Sequence, residues 1–344
     1  MSDNPCTFLS GGELQTSNEL KAKVKVFLFQ KDEDEVLSDW LQYYSFIFGS
    51  ENLVVIDHES QSQEVCRLLE LYRLCGTEVI TFSGPFEKKH AVLTKEMLKH
   101  QNTFLLPLDA DEFIVSDSAA GDVSAVSELH IDRAKIHQAF HALPMDGRKY
   151  KFAFTYNTRP NATVCHEFVA PNRVNATSDR VNRRTVTSQL AFDKKAYFSR
   201  SKTFYNSDGF LYTDQGNHYG AVRHDHNILN DHPAIQRNLS HYFAPLDASL
   251  LHYTMSSYTA RKNKYLRGFA AYNFTLSTDC AQEKNGLGYC NEAKYFLNST
   301  DHGRNFYLQS CLSNQTGASL TSVSDWFLHR AHSMSTILGV QKRS

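Results

Sequence analysis

Thr103-Phe104-Leu105-Leu106-Pro107-Leu108-Asp109-Ala110-Asp111-Glu112-Phe113-Ile114-Val115 is the stretch that decides the fold. Its first half is a short apolar run. That is the pattern of a strand buried on both faces, and such strands belong to parallel sheets covered by helices. The run empties straight into Asp109 and Asp111, two carboxylates separated by one residue. Ligands of open parallel sheets bind beyond the carboxyl ends of the strands. The two acids therefore stand where such a fold does its chemistry.

Upstream of that stretch, strands and helices alternate. Val24 to Phe29 is an apolar strand that stops at the charge run Lys31-Asp32-Glu33-Asp34-Glu35. Val36, Leu37, Trp40, Leu41, Tyr44 and Phe48 follow at spacings of three and four, which predicts a helix with one buried face, closed by Gly49. Asn52 to Asp57 is a second buried strand ending in an acid, and residues 62 to 75 form a second amphipathic helix. Val79 to Phe82 is a third strand and His90 to His100 a third helix. This alternation predicts a parallel sheet with helices on its faces. From about residue 130 the regularity fades. Tyr150 to Tyr156, Ser188 to Phe192, Lys202 to Tyr205 and Leu250 to Thr254 read as strands between loops rich in Asn, Asp, Gly and Arg.

The expected fold class is α/β, a mostly parallel Rossmann-like central sheet flanked by helices, with an irregular acceptor-side half. Residues 1–22 read as a polar arm, 23–128 as the nucleotide-binding half, 129–272 as the acceptor-binding and metal-completing half, and 273–344 as an extension packed on the core. Hydrophobic residues make up 41% and charged residues 21% of the 344-residue chain, which excludes a disordered or coiled-coil protein. A formal net charge of -1 leaves no basic footprint for nucleic acid. Residues 1–15 lack a charged segment followed by an apolar one, and no run reaches the ~18 apolar residues of a membrane span. The seven cysteines have no Cys-x-x-Cys spacing, which speaks against a structural zinc site. Cys66 and Cys75 read as small buried hydrophobes, and one local disulfide among Cys280, Cys290 and Cys311 is compatible with their clustering. The Asn-x-Ser/Thr sequons begin at Asn161, Asn175, Asn238, Asn273, Asn298 and Asn314. With no leader segment in view, the expectation is a cytoplasmic, reduced setting.

Two carboxylates one residue apart can share a hard divalent cation, which in turn neutralises a diphosphate. A departing nucleoside diphosphate needs that neutralisation, because negative charge builds on it as its bond to the sugar breaks. A bare Asp-x-Asp is also a common solvated turn. Position separates the two readings, since Asp57 ends the second strand on the same edge of the sheet. Lys202 and Lys264 are candidate point charges for the diphosphate. An acceptor hydroxyl needs a base if the stereochemistry inverts. Asp214, in Tyr212-Thr213-Asp214-Gln215-Gly216-Asn217-His218, is the first candidate, with Asp208 and Glu167 as rivals. The Arg-rich segment from Arg173 to Arg184 reads as a solvated loop.

Several segments resemble the family-2-like glycosyltransferases of the GT-A type. Phe27-Leu28-Phe29-Gln30-Lys31-Asp32-Glu33 followed by Trp40-Leu41-Gln42-Tyr43-Tyr44 is similar to that family's opening. Val54-Val55-Ile56-Asp57-His58-Glu59-Ser60 resembles its segment after the second strand, and Pro107-Leu108-Asp109-Ala110-Asp111-Glu112-Phe113 its metal motif. Ser201-Lys202-Thr203-Phe204, Gly216-Asn217-His218, Leu251-His252-Tyr253 and Lys264-Tyr265-x-Arg267-Gly268 follow in the same order. The resemblance covers roughly residues 24 to 270, closer in the first half than in the second. Asp32 and His58 depart from it, each standing where that family carries Asn.

The resemblance implies a GT-A fold, a Mn²⁺ or Mg²⁺ cofactor, a nucleotide-sugar donor (a UDP-sugar first) and a glycan or other hydroxyl acceptor, with inversion as the expected outcome. Carried over by residue, Asp57 would meet the base or ribose, Asp109 the ribose or the metal, and Asp111 the metal. A downstream histidine, His218 or His252, would complete the coordination. Two other readings stand beside it: a metal-dependent phosphoesterase, and a non-catalytic carbohydrate-binding or scaffold protein with the same fold.

Overall fold

The computed structural model describes residues 22–33, 36–117, 129–152, 154–160, 190–196, 202–218, 220–223 and 248–252. Strands β1 (Val24–Gln30), β2 (Leu53–Asp57), β3 (Glu78–Thr81) and β4 (Phe104–Leu108) alternate with helices α1 (Leu37–Phe48), α2 (Gln63–Leu74) and α3 (Lys89–Met97). They are followed by β5 (Glu112–Asp117), β6 (Leu129–His130), helix α4 (Arg133–His141), β7 (Lys149–Lys151), β8 (Phe154–Pro160) and β9 (Leu190–Ala196). The last elements are β10 (Thr203–Asn206), β11 (Phe210–Thr213), β12 (Gly220–Val222) and β13 (Ser249–His252). The protein is a mixed α/β fold whose central sheet is mostly parallel and flanked by helices.

That sheet runs β3-β2-β1-β4-β10-β7. The β1–β2, β2–β3 and β1–β4 pairs are parallel, and β10 is antiparallel to both β4 and β7. Side chains of a strand alternate between faces, and here the alternation separates two cores. Val26, Leu28, Val55 and Leu106 pack with Trp40, Leu41, Tyr44 and Ile47 of α1, Leu68 and Leu69 of α2, and Ile136 and Phe140 of α4. Phe27, Phe29, Val54, Ile56 and Leu105 meet Leu93 and Met97 of α3 and Phe210 and Val222 of the β11–β12 hairpin on the other face. Burial of each such side chain contributes about 1.5–3 kcal/mol before ordering costs, so the two-faced apolar strands dictate a sheet with cover on both sides.

A second sheet, β6-β5-β13-β8-β9, carries β5 away from the end of β4. The edge of β5 is buttressed from α1. The Tyr44 hydroxyl donates to the Glu112 carbonyl at 3.0 Å and accepts from the Ile114 amide at 3.2 Å, while the Tyr43 hydroxyl donates to the Ile114 carbonyl. These buried tyrosines satisfy main-chain groups that the neighbouring strand does not reach.

Most expected elements lie within a residue or two of their observed bounds, and several readings need correction. Phe82 lies past β3, where its amide donates to the Asp57 carbonyl at 2.8 Å. The third helix, expected to run to His100, ends at Met97. Residues 150–156, expected as one strand, divide between β7 and β8, which belong to different sheets. Cys66 is exposed with a free thiol, because it lies on the outer side of α2, away from Val65, Leu68, Leu69 and Tyr72. Cys75, at the end of α2, is half-buried and disulfide-bonded. Structural disulfides belong mostly to oxidising compartments, so this bond counts against the reduced, cytoplasmic expectation. No helix among the described residues is long and apolar enough to cross a membrane. The arm at 1–22 (but for Ala22), the extension at 273–344 and every sequon named above lie outside the described residues.

The two halves read from the sequence share their sheets. β7 and β10 extend the sheet begun by β1–β4, and β13 pairs with β5. That interleaving places residues from far apart in the chain at one edge.

Candidate active site

β1, β2 and β4 are parallel neighbours, so their carboxyl ends open on one edge of the sheet. Gln30 and Asp57 are register partners there. Asp57 is turned into the fold, with one oxygen accepting from the Gln30 side-chain Nε2 and from the Ser60 hydroxyl at 2.6 Å, and the other from the Ser60 main-chain amide at 3.3 Å. The carboxylate expected at the base or ribose is thus engaged in shaping its own loop. Asp32, at φ 49, crosses to the same loop. Its Oδ1 accepts from the Gln61 and Ser62 amides at 2.7 and 2.8 Å, next to the Ser62 cap of α2. Asp and Asn share the tolerance for positive φ and the short acceptor oxygen that this position uses, which explains Asp at a position where Asn is expected.

Beyond β4 the chain makes a tight turn closed twice over. The Glu112 amide donates to the Asp109 carbonyl at 3.1 Å, and the Asp109 amide donates to Glu112 Oε2 at 2.9 Å. The turn presents Asp109 to two lysines. Lys202 Nζ lies 2.5 Å from Oδ2, and Lys89 Nζ, from the first residue of α3, lies 3.1 Å from Oδ1. Lys202 also donates to the Gly216 carbonyl at 2.7 Å and lies 3.5 Å from Glu112 Oε1. Its ammonium is thereby fully engaged. Lys89 has Asp109 as its one hydrogen-bond acceptor among the described residues, and its Nζ stands 6.0 Å over the Phe29 ring. Asp109 keeps about a third of its side chain exposed (34%), whereas Lys202 and Glu112 are buried.

The electrostatics follow from these contacts. Burial alone pushes the Asp109 carboxyl up, but Lys202 and Lys89 outweigh it and hold the group well below the usual carboxylate range. Burial pushes the Lys202 ammonium down, and Asp109 with Glu112 more than reverses that. Glu112 is shifted upward, first by burial and then by Asp109 and Asp111, against the pull of Lys202 and His252.

His252 is register partner to Glu112 across the β5–β13 pair, and its Nε2 lies 3.6 Å from Asp111 Oδ2. Neighbouring ligands bonded about 2.1 Å from a shared cation stand roughly 3–3.6 Å apart. Asp111 and His252 therefore fit two places around a divalent ion. Each Asp109 oxygen accepts from a lysine and keeps a further lone pair that a cation could share. No cluster of three or more His, Cys, Asp or Glu with metal-site geometry occurs among the described residues. His218 lies on the loop whose Gly216 carbonyl holds Lys202, and its own carbonyl accepts from Thr203 Oγ1 at 2.6 Å.

Asp214 belongs to that loop, where Oδ2 accepts from the Gly216 amide at 3.3 Å. The rival Asp208 is at the opposite edge of the sheet. Its Oδ1 accepts from the Asn102 amide, just before β4 begins, a strand's length of roughly 17 Å from Asp109. That position rules it out as a base at this site. Lys264, Glu167 and the segment from Arg173 to Arg184 lie outside the described residues. Sequence reading missed Lys89, Glu112 and Gln30. Lys89 was within reach, since the first residue of a helix following a parallel strand lies on the ligand edge. A lysine at a helix start, however, reads as solvated.

No protein-family model matches the chain, and no curated protein matches it.

Proposed function

We propose that this chain is a metal-dependent glycosyltransferase of the GT-A type, moving a sugar from a nucleotide-sugar donor, a UDP-sugar first, to a glycan or other hydroxyl acceptor. The observation that carries the reading is the Asp109–Asp111 turn at the carboxyl edge of the parallel sheet, with lysines on Asp109 and a histidine on Asp111. Asp111 and His252 would hold the Mn²⁺ or Mg²⁺. Bound there, the cation would supply charge neutralisation for the departing diphosphate.

The chain's own groups supply the rest. Lys89 has N–H groups to turn toward a diphosphate while Asp109 keeps it in place. Lys202 fixes the turn that aims Asp111. Glu112, buried behind the turn, holds the Asp109 amide and so keeps the two acids in register. Asp214, two residues from the carbonyl that grips Lys202, is the base we assign to the acceptor hydroxyl. The bond from the sugar to the diphosphate breaks as the acceptor oxygen attacks, and the proton passes to Asp214.

The test is nucleoside diphosphate release from a panel of nucleotide sugars, with Mn²⁺ or with EDTA. Release from one donor, abolished by EDTA and by Asp111→Ala, is the expected result. No release and no metal-dependent donor binding would overturn the reading, and phosphate release from simple esters would replace it with a phosphoesterase.

A further inference from the structure

The loop between β3 and α3, residues 82–88, delivers Lys89 to Asp109, yet it buries little of itself. Ser83, Pro85, Glu87 and Lys88 are exposed. Among the described residues three hydrogen bonds clip it, from the last residue of β2 and the two residues that follow. The Phe82 amide donates to the Asp57 carbonyl at 2.8 Å, the Ser83 hydroxyl donates to Glu59, and the His58 ring meets the Gly84 carbonyl at 2.6 Å through Nε2.

The last clip differs in kind. A carbonyl only accepts, so Nε2 carries the proton. The ring is buried, 5% exposed, among Phe29, Phe82 and Phe86 at centroid distances of 5.5, 5.5 and 6.1 Å. Its Nδ1 has no hydrogen-bond partner among the described residues. The His58 amide is tied to the Gln30 carbonyl at 2.9 Å, so the ring is anchored to the end of β1 and cannot follow the loop outward. Phe29 touches both parts of this arrangement, since its ring packs on His58 and lies beneath Lys89.

We propose that His58 is a positioning residue. Its single N–H clips the Gly84 carbonyl and seats the 82–88 loop so that Lys89 meets Asp109 and, through it, the diphosphate of the donor. The clip stands on geometry alone, and its link to a diphosphate rests on the glycosyltransferase reading. Loss of the N–H frees the loop, and Lys89 then leaves the edge of the site without the sheet being disturbed.

Four variants test this: His58→Phe keeps the aromatic packing without the donor, His58→Gln restores an N–H donor, and Lys89→Met and the His58→Phe/Lys89→Met double complete a cycle. In His58→Phe the amides of Phe82, Lys88 and Lys89, bonded to the Asp57, Pro85 and Phe86 carbonyls, exchange hydrogen about tenfold faster, while β1, β2 and β4 exchange as before. His58→Gln recovers at least part of that protection. Unchanged exchange in His58→Phe overturns the clip whatever the enzyme does.

UDP binding, titrated calorimetrically with Mn²⁺ present, falls about tenfold in His58→Phe and in Lys89→Met, and no further in the double variant. Additive losses of about a hundredfold in the double overturn the coupling to Lys89. Wild-type protein that binds no nucleoside diphosphate removes the diphosphate link together with the glycosyltransferase reading. In that case the exchange result still decides the clip.

Discussion

Lys89 and Lys202 grip the same carboxylate, yet their removal has different consequences. Lys202 is buried with Asp109 and Glu112 as its counter-charges, so Lys202→Met strands the Glu112 carboxylate in the interior and leaves Asp109 to Lys89 alone. Urea denaturation of that variant should show a loss of about 3 kcal/mol, within the range for breaking a buried pair from one side. Lys89→Met leaves Asp109 paired with Lys202 and partly in water. It should cost about 1 kcal/mol or less in the same assay and, under the proposed function, lower nucleotide affinity. Lys151 provides a pH test. Burial in β7, with some help from Lys149, lowers its ammonium to about 8. Between pH 8 and the ordinary lysine value the unfolded chain binds the extra proton, so this residue makes stability rise with pH across that window. Lys151→Met should therefore be more stable than wild type at pH 7, by an advantage that shrinks toward pH 10. An advantage that is constant with pH would show that the charge is not the cause. At this scale the two acids of the turn were legible because an apolar strand pointed at them. Lys89 was not, because nothing in a helix-starting lysine distinguishes a solvated group from one folded onto a carboxylate twenty residues on.

Among elements, β1 through β4 could be read because each is a short apolar run between amphipathic helices, a local property of the chain. β10 and β13 could not be placed that way. Strands of four residues carry too little pattern to choose a partner, and their positions are set by backbone pairing with β4 and β5 far upstream. The link from α1 to β5 is the element-scale contact most open to test. Tyr44→Phe removes a hydroxyl that serves one main-chain donor and one acceptor of β5. Leaving both buried and unmet should cost about 2–3 kcal/mol in chemical denaturation. The Asp109–Glu112 turn lies at the start of that strand, so under the proposed function metal affinity should fall alongside stability. A change within about 0.5 kcal/mol would mean that another group takes over the hydroxyl's bonds.

For the molecule as a whole, the two-part organisation read from the strand–helix pattern describes where the regular alternation stops, and the sheets themselves cross that boundary. The cysteines offer a global check on the chemical setting. Alkylation of the native protein followed by mass spectrometry should label Cys66 and spare Cys75 until a reductant is added. Labelling of Cys75 without reduction would remove the disulfide and restore the expectation of a reducing environment.

Lys202 lies 93 positions beyond the carboxylate it holds, and His252 is later still. During synthesis on a ribosome, the strand bearing Asp109 and Asp111 emerges long before either partner. A nascent chain halted near residue 200 would display both acids with neither Lys202 nor the histidine. On the glycosyltransferase reading proposed above, competence for metal and donor would therefore be acquired late in translation, and a prematurely terminated product would lack the assembled site.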